Sequence, residues 1–153
     1  MPFVVKNYKA KNMIIKQLSV FLENKTGRLT EMTKILSEND INISAFSIAD
    51  TADFGIVRCI VTKPEEAIKV LKANRFSVNI TDVVCLIVPH EPGGLYHALS
   101  ILSDNNISVD YMYAFAFDNA ASVIIRSESN DEVIRVLQAN QMKLLKASDI
   151  YQI

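Results

Sequence analysis

A chain of 153 residues has room for one ordinary domain or for two very small ones. Its 16 basic and 17 acidic residues give a net charge of −1, so charge offers no reason to expect binding to a nucleic acid or a membrane surface. Hydrophobic residues make up 50% of the chain, which is enough to fill a core. The longest strongly apolar run, Val83 to Val88, is too short to cross a bilayer.

The first twelve residues, MPFVVKNYKAKN, contain three lysines and no acid, and they lack the apolar segment of a signal peptide. We interpret residues 1–12 as an N-terminal arm, with the folded part beginning at Met13. The missing export signal predicts a cytoplasmic location. In that reducing compartment Cys59 and Cys85 are expected to stay unpaired and buried.

A repeat with a period of 66 residues runs through the chain without a gap. The stretch ENKTGRL at 23–29 matches PHEPGGL at 89–95, and in the same register ILSEN matches ILSDN and IKVLKAN matches IRVLQAN. Matches that share one register indicate a duplication. We therefore predict one domain over residues 13–81 and a second domain over residues 82–153.

Each copy predicts a strand and then a helix. Apolar runs at Ile14–Leu22 and Val83–Val88 form the strands, and apolar residues at three-and-four spacing follow each run. Both helices are predicted to end at an asparagine, Asn39 or Asn105, because asparagine tolerates the left-handed conformation of a helix terminus.

The rest of each copy predicts two strands, a second helix and a last strand. The second helices begin in capping-box patterns, Thr62–Glu65 and Ser129–Glu132. The predicted strands are Ile41–Ala49, Phe54–Val61 and Phe76–Thr81 in the first copy, and Ile107–Phe117, Ala121–Arg126 and Met142–Ile150 in the second.

The resulting order, β-α-β-β-α-β twice, is the ferredoxin-like plan. The predicted fold class is α+β, with two βαββαβ units that share an extended antiparallel sheet and have their helices on one side. A unit of about 70 residues is marginally stable alone. Because no linker rich in proline, glycine or serine separates the copies, we expect a rigid tandem.

No motif in the sequence indicates a metal site, a cofactor or a covalent mechanism. His90 and His97 have no further ligand at metal-binding spacing, and the sequence contains no C-x-x-C, G-x-S-x-G, G-x-G-x-x-G or G-x-x-x-x-G-K. We expect no metal, no cofactor and no enzymatic activity. Nucleic-acid binding is also not expected, because the third strands, DFGIVRCIV and AASVIIRS, lack the paired exposed aromatics of RNA-recognition modules.

The strand-to-helix corner occurs twice, around Gly27 and Gly93. A helix N terminus presents unpaired N–H groups that suit a small carboxylate, and a glycine leaves them accessible, although a tight turn alone also requires glycine. Asn24 and Asn42 offer amides that suit the two charged groups of a free amino acid. Their simpler explanations are an ordinary turn residue and a polar residue after a helix.

Each copy resembles an ACT domain, the small regulatory module attached to enzymes of amino-acid metabolism. The resemblance covers Ile14 to the C terminus and rests on ENKTGRL…ENDINIS and PHEPGGL…DNNISVDYMYAF. These stretches follow the family's order of strand, (D/N)-x-P-G-x-L, helix and (G/N)-I-N-I. The first copy departs from it at Thr26, where the family usually has proline.

The resemblance implies side-by-side pairing of ACT domains, with amino-acid ligands at the seam. In the serine-sensing ACT domain of phosphoglycerate dehydrogenases, an asparagine three residues before the glycine and another fifteen after the partner's glycine hold the ligand. These positions correspond to Asn24 and Asn42 in the first copy and to His90 and Ser108 in the second. A histidine of that motif corresponds to Leu22, so its contact is absent here.

The implied sites are unequal. One combines the Asn24–Leu29 corner with Ser108 and Val109, and the other combines the His90–Leu95 corner with Asn42 and Ile43. Tyr111 or Tyr113 either lines a pocket or belongs to a sheet face packed on helices. The candidate ligand-binding residues are Asn24, Lys25, Thr26, Gly27, Arg28, Leu29, Asn42, Ile43, His90, Glu91, Pro92, Gly93, Gly94, Leu95, Ser108, Val109, Tyr111 and Tyr113.

The predicted function is a non-catalytic regulatory sensor. It binds a free amino acid and modulates a partner enzyme of amino-acid metabolism or another copy of itself, as a homo-oligomer such as a dimer. The alternative from another class is a structural or oligomerisation module with no small-molecule ligand. A small enzyme is a third alternative, disfavoured by the missing motifs.

Overall fold

The computed structural model describes residues 11–50, 53–117 and 119–152, so the predicted arm lies outside it except for Lys11 and Asn12. The chain divides into two compact units. The first unit contains residues 16–81 together with 149–152, and the second contains Asp82–Ser148 together with the described residues up to Ile15. The repeat does not predict that the C-terminal residues join the first unit. The predicted domain boundaries stay predictions.

Twelve elements follow one another in the described residues. In chain order they are β1 (Ile14–Glu23), α1 (Arg28–Glu38), β2 (Ile43–Asp50), β3 (Phe54–Val61), α2 (Pro64–Ala73), β4 (Ser77–Pro89), α3 (Gly94–Asp104), β5 (Tyr111–Phe117), β6 (Ala120–Arg126), α4 (Asn130–Ala139), β7 (Lys143–Leu144) and α5 (Ala147–Ile150).

The strands of the first unit lie in the order β2-β3-β1-β4, with β3 antiparallel to both β1 and β2. Side chains alternate between the two faces of a strand, so Leu18, Val20 and Leu22 of β1 lie on one face. This face and its neighbours on β3 are fully or nearly fully buried in one hydrophobic cluster, to which α1 contributes Met32, Ile35 and Leu36. The amphipathic pattern of the sequence thus produces one helix-covered core in this unit.

The second unit repeats this arrangement. Strand β4 pairs antiparallel with β6 and with β7, and β6 pairs with β5. Val84, Leu86 and Val88 of β4 are buried in a second hydrophobic cluster together with α3 and α4. The α+β class, with two βαββαβ-like units and a mostly antiparallel sheet, is therefore confirmed.

The duplication is visible in the backbone at residues 66 positions apart. Gly27 and Gly93 have φ angles of 92° and 91°, and after the first helix of each copy Asp40 and Asn106 have φ angles of 57° and 58°. The two helices end at Asn39 and Asn105 as predicted, but the left-handed residue is the next one in each copy. Both asparagines instead use the side-chain Nδ2 to donate a 2.8 Å hydrogen bond to a carbonyl of the last helical turn.

The capping-box prediction is also wrong. Lys63 and Ser129 are the N-cap residues of α2 and α4, and neither makes a side-chain cap hydrogen bond. The Thr62 hydroxyl instead accepts a 3.1 Å hydrogen bond from the N–H of Asn42. Pro64 at the start of α2 has no N–H to be capped, which removes part of the need for a cap.

The last predicted strand, Met142–Ile150, is much shorter in the structure. Only Lys143–Leu144 is a strand, and Ala147–Ile150 forms a short helix. The Leu145 N–H still donates to the Cys85 carbonyl at 2.9 Å. The following Lys-Ala-Ser-Asp stretch contains no β-branched or aromatic residue, so it has little tendency to extend a strand.

Candidate ligand-binding site

The corner of the second unit is a tight turn between β4 and α3. The N–H of Glu91 donates to the Pro89 carbonyl at 3.0 Å, and the N–H of Gly94 donates to the Glu91 carbonyl at 3.1 Å. Gly93 then adopts a left-handed φ of 91°, which glycine populates without steric cost. A Cβ at Gly94 would clash with the Pro89 carbonyl oxygen, so this corner has no room for a side chain at that position.

An open cleft of about 500 Å³ lies beside the start of α3 and is lined in part by Gly93 and Gly94. Ile87 and Met142 give it an apolar lining, while Glu91 and Lys143 bring opposite charges to it. The complete lining is Ile87, Pro89, Glu91, Pro92, Gly93, Gly94, His97, Gln141, Met142 and Lys143. A cleft with an apolar lining and both signs of charge suits a small zwitterion.

Helix α3 adds its own electrostatic contribution to this cleft. Gly93 is its N-cap and supplies no side-chain hydrogen bond, and the first turn contains no acidic residue. The first intrahelical hydrogen bond runs from the N–H of His97 to the Gly93 carbonyl at 2.9 Å. The N terminus of α3 thus faces outward without a capping carboxylate, and its dipole favours a negatively charged group.

The corner of the first unit has the same left-handed glycine and the same hydrogen-bond pattern, but different side chains. The N–H of Lys25 donates to the Glu23 carbonyl at 2.7 Å, and the N–H of Glu31 donates to the Gly27 carbonyl at 2.9 Å. Arg28 stands where the second copy has Gly94. Its guanidinium lies 4.1 Å from the centroid of the Phe76 ring and forms a 2.9 Å ion pair with Glu31. This corner is therefore occupied by a side chain of the protein itself.

The candidate residues of the first copy are distributed along the surface and the edge of the core. Asn24, Lys25, Thr26 and Gly27 are exposed in the turn, and Lys25 forms a 3.2 Å ion pair with Glu23. Two candidates pack partly buried against the first hydrophobic cluster, namely Leu29 and Ile43. Asn42 is exposed and, with Ile43, borders a separate cleft of about 330 Å³ near the C-terminal end of α1.

In the second copy, Glu91, Pro92, Gly93 and Gly94 are brought together in the cleft. Among the other candidates, the exposed His90 donates its backbone N–H to the Asn119 carbonyl at 2.8 Å, and Leu95 is 37% exposed on α3. The remaining four lie before and within β5: Ser108 is exposed, Val109 packs partly buried against the second cluster, and Tyr111 and Tyr113 are half-buried opposite Arg126 and Ile124. The pairing of each corner with the second strand of the other copy stays a prediction.

Six residues of the cleft were missed from the sequence: Ile87, Pro89, His97, Gln141, Met142 and Lys143. His97 was detectable, because it follows Gly93 by four residues and so lies on the same helix face. Lys143 was detectable through the topology, since the last strand of a βαββαβ unit pairs with its first strand, as Ile87 and Lys143 do here. Lys143 could therefore have been found from the predicted strand topology, and not from a local motif.

The described residues contain no group of three or more metal-binding side chains, and no helix among them is long and apolar enough to span a membrane. The two thiols are buried, and desolvation raises the pKa of Cys59 and of Cys85 from 9.0 to about 12. Such thiols stay protonated at neutral pH and behave as small hydrophobic groups.

Comparison with known proteins identifies the family. A family model described as an ACT domain pair matches residues 13–153, and the chain therefore belongs to the ACT domain pair family. A search of curated proteins gave no match.

Solved structures agree with this assignment. The chain is 51% identical to protein BT0572 from Bacteroides thetaiotaomicron, over 92% of this chain and 98% of that one, with a TM-score of 0.89. The regulatory subunit of aspartate kinase from Thermus thermophilus is 11% identical over 84% of this chain and 94% of that one, with a TM-score of 0.62. The corresponding subunit from Thermus flavus is 12% identical over 82% and 94%, with a TM-score of 0.58. At these low identities the two kinase subunits show a shared fold.

Proposed function

We propose that the protein is a non-catalytic sensor that binds a free amino acid in the cleft beside Gly93 and Gly94. The observation that carries the proposal is the cleft itself: the start of α3, with Gly93 and Gly94, and the oppositely charged Glu91 and Lys143 line the same cleft. The α-carboxylate would lie at the N terminus of α3 and near Lys143, and the α-ammonium near Glu91.

The remaining lining supports a role in selecting the ligand side chain. Ile87 and Met142 offer apolar contacts, and methionine adapts its shape to different ligands. His97 and Gln141 lie at the same cleft and offer hydrogen bonds to a polar side-chain end. This combination favours an amino acid with a medium-sized side chain over glycine.

A regulatory role is supported by the family and by the fold shared with regulatory subunits of aspartate kinase. ACT regulatory domains are generally non-catalytic, and binding of the amino acid would be passed to a partner enzyme of amino-acid metabolism or to a second copy of the chain. The cytoplasmic location and the homo-oligomeric state stay predictions.

The experiment is a thermal melt of the protein with each of the twenty amino acids. A ligand present at 100 times its dissociation constant adds about 2.7 kcal/mol to the free energy of unfolding, which raises the melting temperature by several degrees. If none of the twenty raises it, the sensor proposal is wrong and the structural or oligomerisation module is favoured.

A matched pair of lysine variants then locates the site. Lys143 lines the cleft, whereas the exposed Lys146 does not belong to its lining. Loss of a hydrogen bond to a charged group costs about 1.5–3 kcal/mol, so Lys143→Ala should weaken binding about tenfold or more in calorimetry. Lys146→Ala should bind like the parent, and equal affinities for both variants would place the ligand elsewhere.

A further inference from the structure

Arg28 and Gly94 occupy the same place in two copies of one corner. Both residues follow a left-handed glycine, Gly27 or Gly93, and both begin the first helix of their unit. Their backbone N–H groups make the same turn bond, at 3.3 Å from Arg28 to the Lys25 carbonyl and at 3.1 Å in the second copy. The side chains at these two positions can therefore be compared directly.

The Arg28 side chain runs along the corner and does not extend into solvent. It is 22% exposed, its guanidinium covers the Phe76 ring at 4.1 Å, and Nη1 lies 2.9 Å from Glu31. Its Nε is buried and has no hydrogen-bond partner in the described part of the chain. A buried donor without a partner is unfavourable, so packing and the ring contact hold this side chain in place.

The contacts of Arg28 correspond to the lining of the open cleft. Phe76 is the counterpart of Met142, and Glu31 is the counterpart of His97, and both counterparts border the cleft of the second unit. In the first unit Arg28 therefore contacts the counterparts of two residues that border the cleft of the second unit. One of the two corners is therefore filled by a side chain of the protein itself.

We propose that Arg28 closes a guanidinium-binding site at the first corner by filling it, and that shortening this side chain opens the site to a free guanidinium compound. Phe76 supplies an aromatic face for the cation and Glu31 supplies a carboxylate, which are the two groups that recognise a guanidinium. Gly27 adds no crowding, since a Cβ there would have no atom within 4 Å outside its two chain neighbours. A further consequence is that each chain binds one amino acid, at the second corner. This consequence rests on the proposed function.

The test is a calorimetric titration of the full-length Arg28→Ala variant with ethylguanidinium. Arg28→Ala should bind one ethylguanidinium per chain, and the parent should bind none. Adding Glu31→Gln to Arg28→Ala should weaken this binding about tenfold, since the charged partner is lost. No binding to Arg28→Ala, or equal binding to the parent, would overturn the proposal.

Two control variants separate filling of the site from general loosening. Arg28→Met keeps a long side chain over Phe76, so the site should stay closed to ethylguanidinium. Arg135→Ala removes an arginine with a matching 2.9 Å ion pair, to Glu132, on an exposed helix face, and it should create no site. Binding of ethylguanidinium to either control would contradict occlusion by Arg28.

The same variants keep this proposal distinct from the sensor function. If an amino acid binds to the parent at one per chain and L-arginine adds a second equivalent only in Arg28→Ala, both proposals are supported. A parent that binds two equivalents refutes occlusion. If the parent binds no amino acid, the sensor proposal fails, while ethylguanidinium binding to Arg28→Ala still decides whether Arg28 fills a site.

Discussion

The two strand-to-helix corners have the same backbone and opposite accessibility. Gly27 and Gly93 share a left-handed conformation within one degree of φ, and the hydrogen bonds that start α1 and α3 are both 2.9 Å long. The residue after each glycine differs: Arg28 covers its corner, and Gly94 leaves its corner open. Duplication thus reproduced the turn, and the proposed difference in ligand access depends on the residue that follows each glycine.

The largest expected difference between the corners concerns stability. Gly94→Ala places a Cβ against the Pro89 carbonyl, a backbone atom that moves only with the turn, and should lower the free energy of unfolding by about 1–3 kcal/mol. Arg28→Ala, at the equivalent position, should cost about 1 kcal/mol or less, because it removes a cation–π contact and a partly exposed ion pair. Urea unfolding of both variants measures this, and an equal or reversed order would contradict the geometry.

A smaller effect is expected on ligand binding from the acid of the open corner. Glu91 lines the cleft, and its counterpart Lys25 carries the opposite charge. Glu91→Gln should weaken binding of the amino acid about tenfold, because the partner of the α-ammonium loses its charge. Glu128→Gln, at an exposed position outside the cleft lining, is the matched control in the same calorimetric titration. A ligand that binds equally to both variants does not place its ammonium at Glu91.

The smallest effect concerns the two buried thiols, Cys59 of β3 and Cys85 of β4. Burial raises the pKa of Cys59 and of Cys85 from 9.0 to about 12, and a backbone hydrogen bond with Val123 partly opposes this shift at Cys85. Between pH 9.0 and about pH 12 the thiols of the unfolded chain lose protons that the folded chain retains, so the free energy of unfolding falls as pH rises. Each thiol should contribute a loss of about 1 kcal/mol between pH 9 and pH 10.

The check is the free energy of unfolding measured by urea titration across this pH range. Cys59→Ala and Cys85→Ala should each reduce the slope of stability against pH by a similar amount. A slope that is unchanged in both variants would show that the thiols are not protected by burial.

Much of the fold could be predicted because apolar periodicity and internal repetition record it. The bounds of β3, Phe54–Val61, were predicted to the residue, and the predicted strands Phe76–Thr81 and Val83–Val88 form one continuous strand, β4. The predictions that were wrong at the ends of helices concern details that depend on individual hydrogen bonds. Asn39 bonds back to the Ile35 carbonyl, and the Thr62 hydroxyl accepts from Asn42, twenty residues away.

The candidate site was predictable in part for the same reason. The glycine turn and its charged neighbour Glu91 follow from the sequence motif, whereas Met142 and Lys143 reach the cleft only through strand pairing. The sequence places Arg28 at the first corner, and its role as a ligand contact stays a prediction. A lone arginine at a helix start gives no sequence signal that its side chain will stack on Phe76, 48 positions further along the chain.

The central claim is that the amino acid binds at the second corner and not at the first. The most direct measurement is a two-dimensional amide NMR titration of the parent protein with the amino acid that raises its melting temperature most. The account predicts that the N–H signals of Gly93, Gly94 and Lys143 shift with ligand concentration, while those of Gly27, Arg28 and Ser77 stay in place. Shifts confined to the first set of residues support the claim, and shifts at Gly27 and Arg28 without shifts at Gly93 and Gly94 would contradict it.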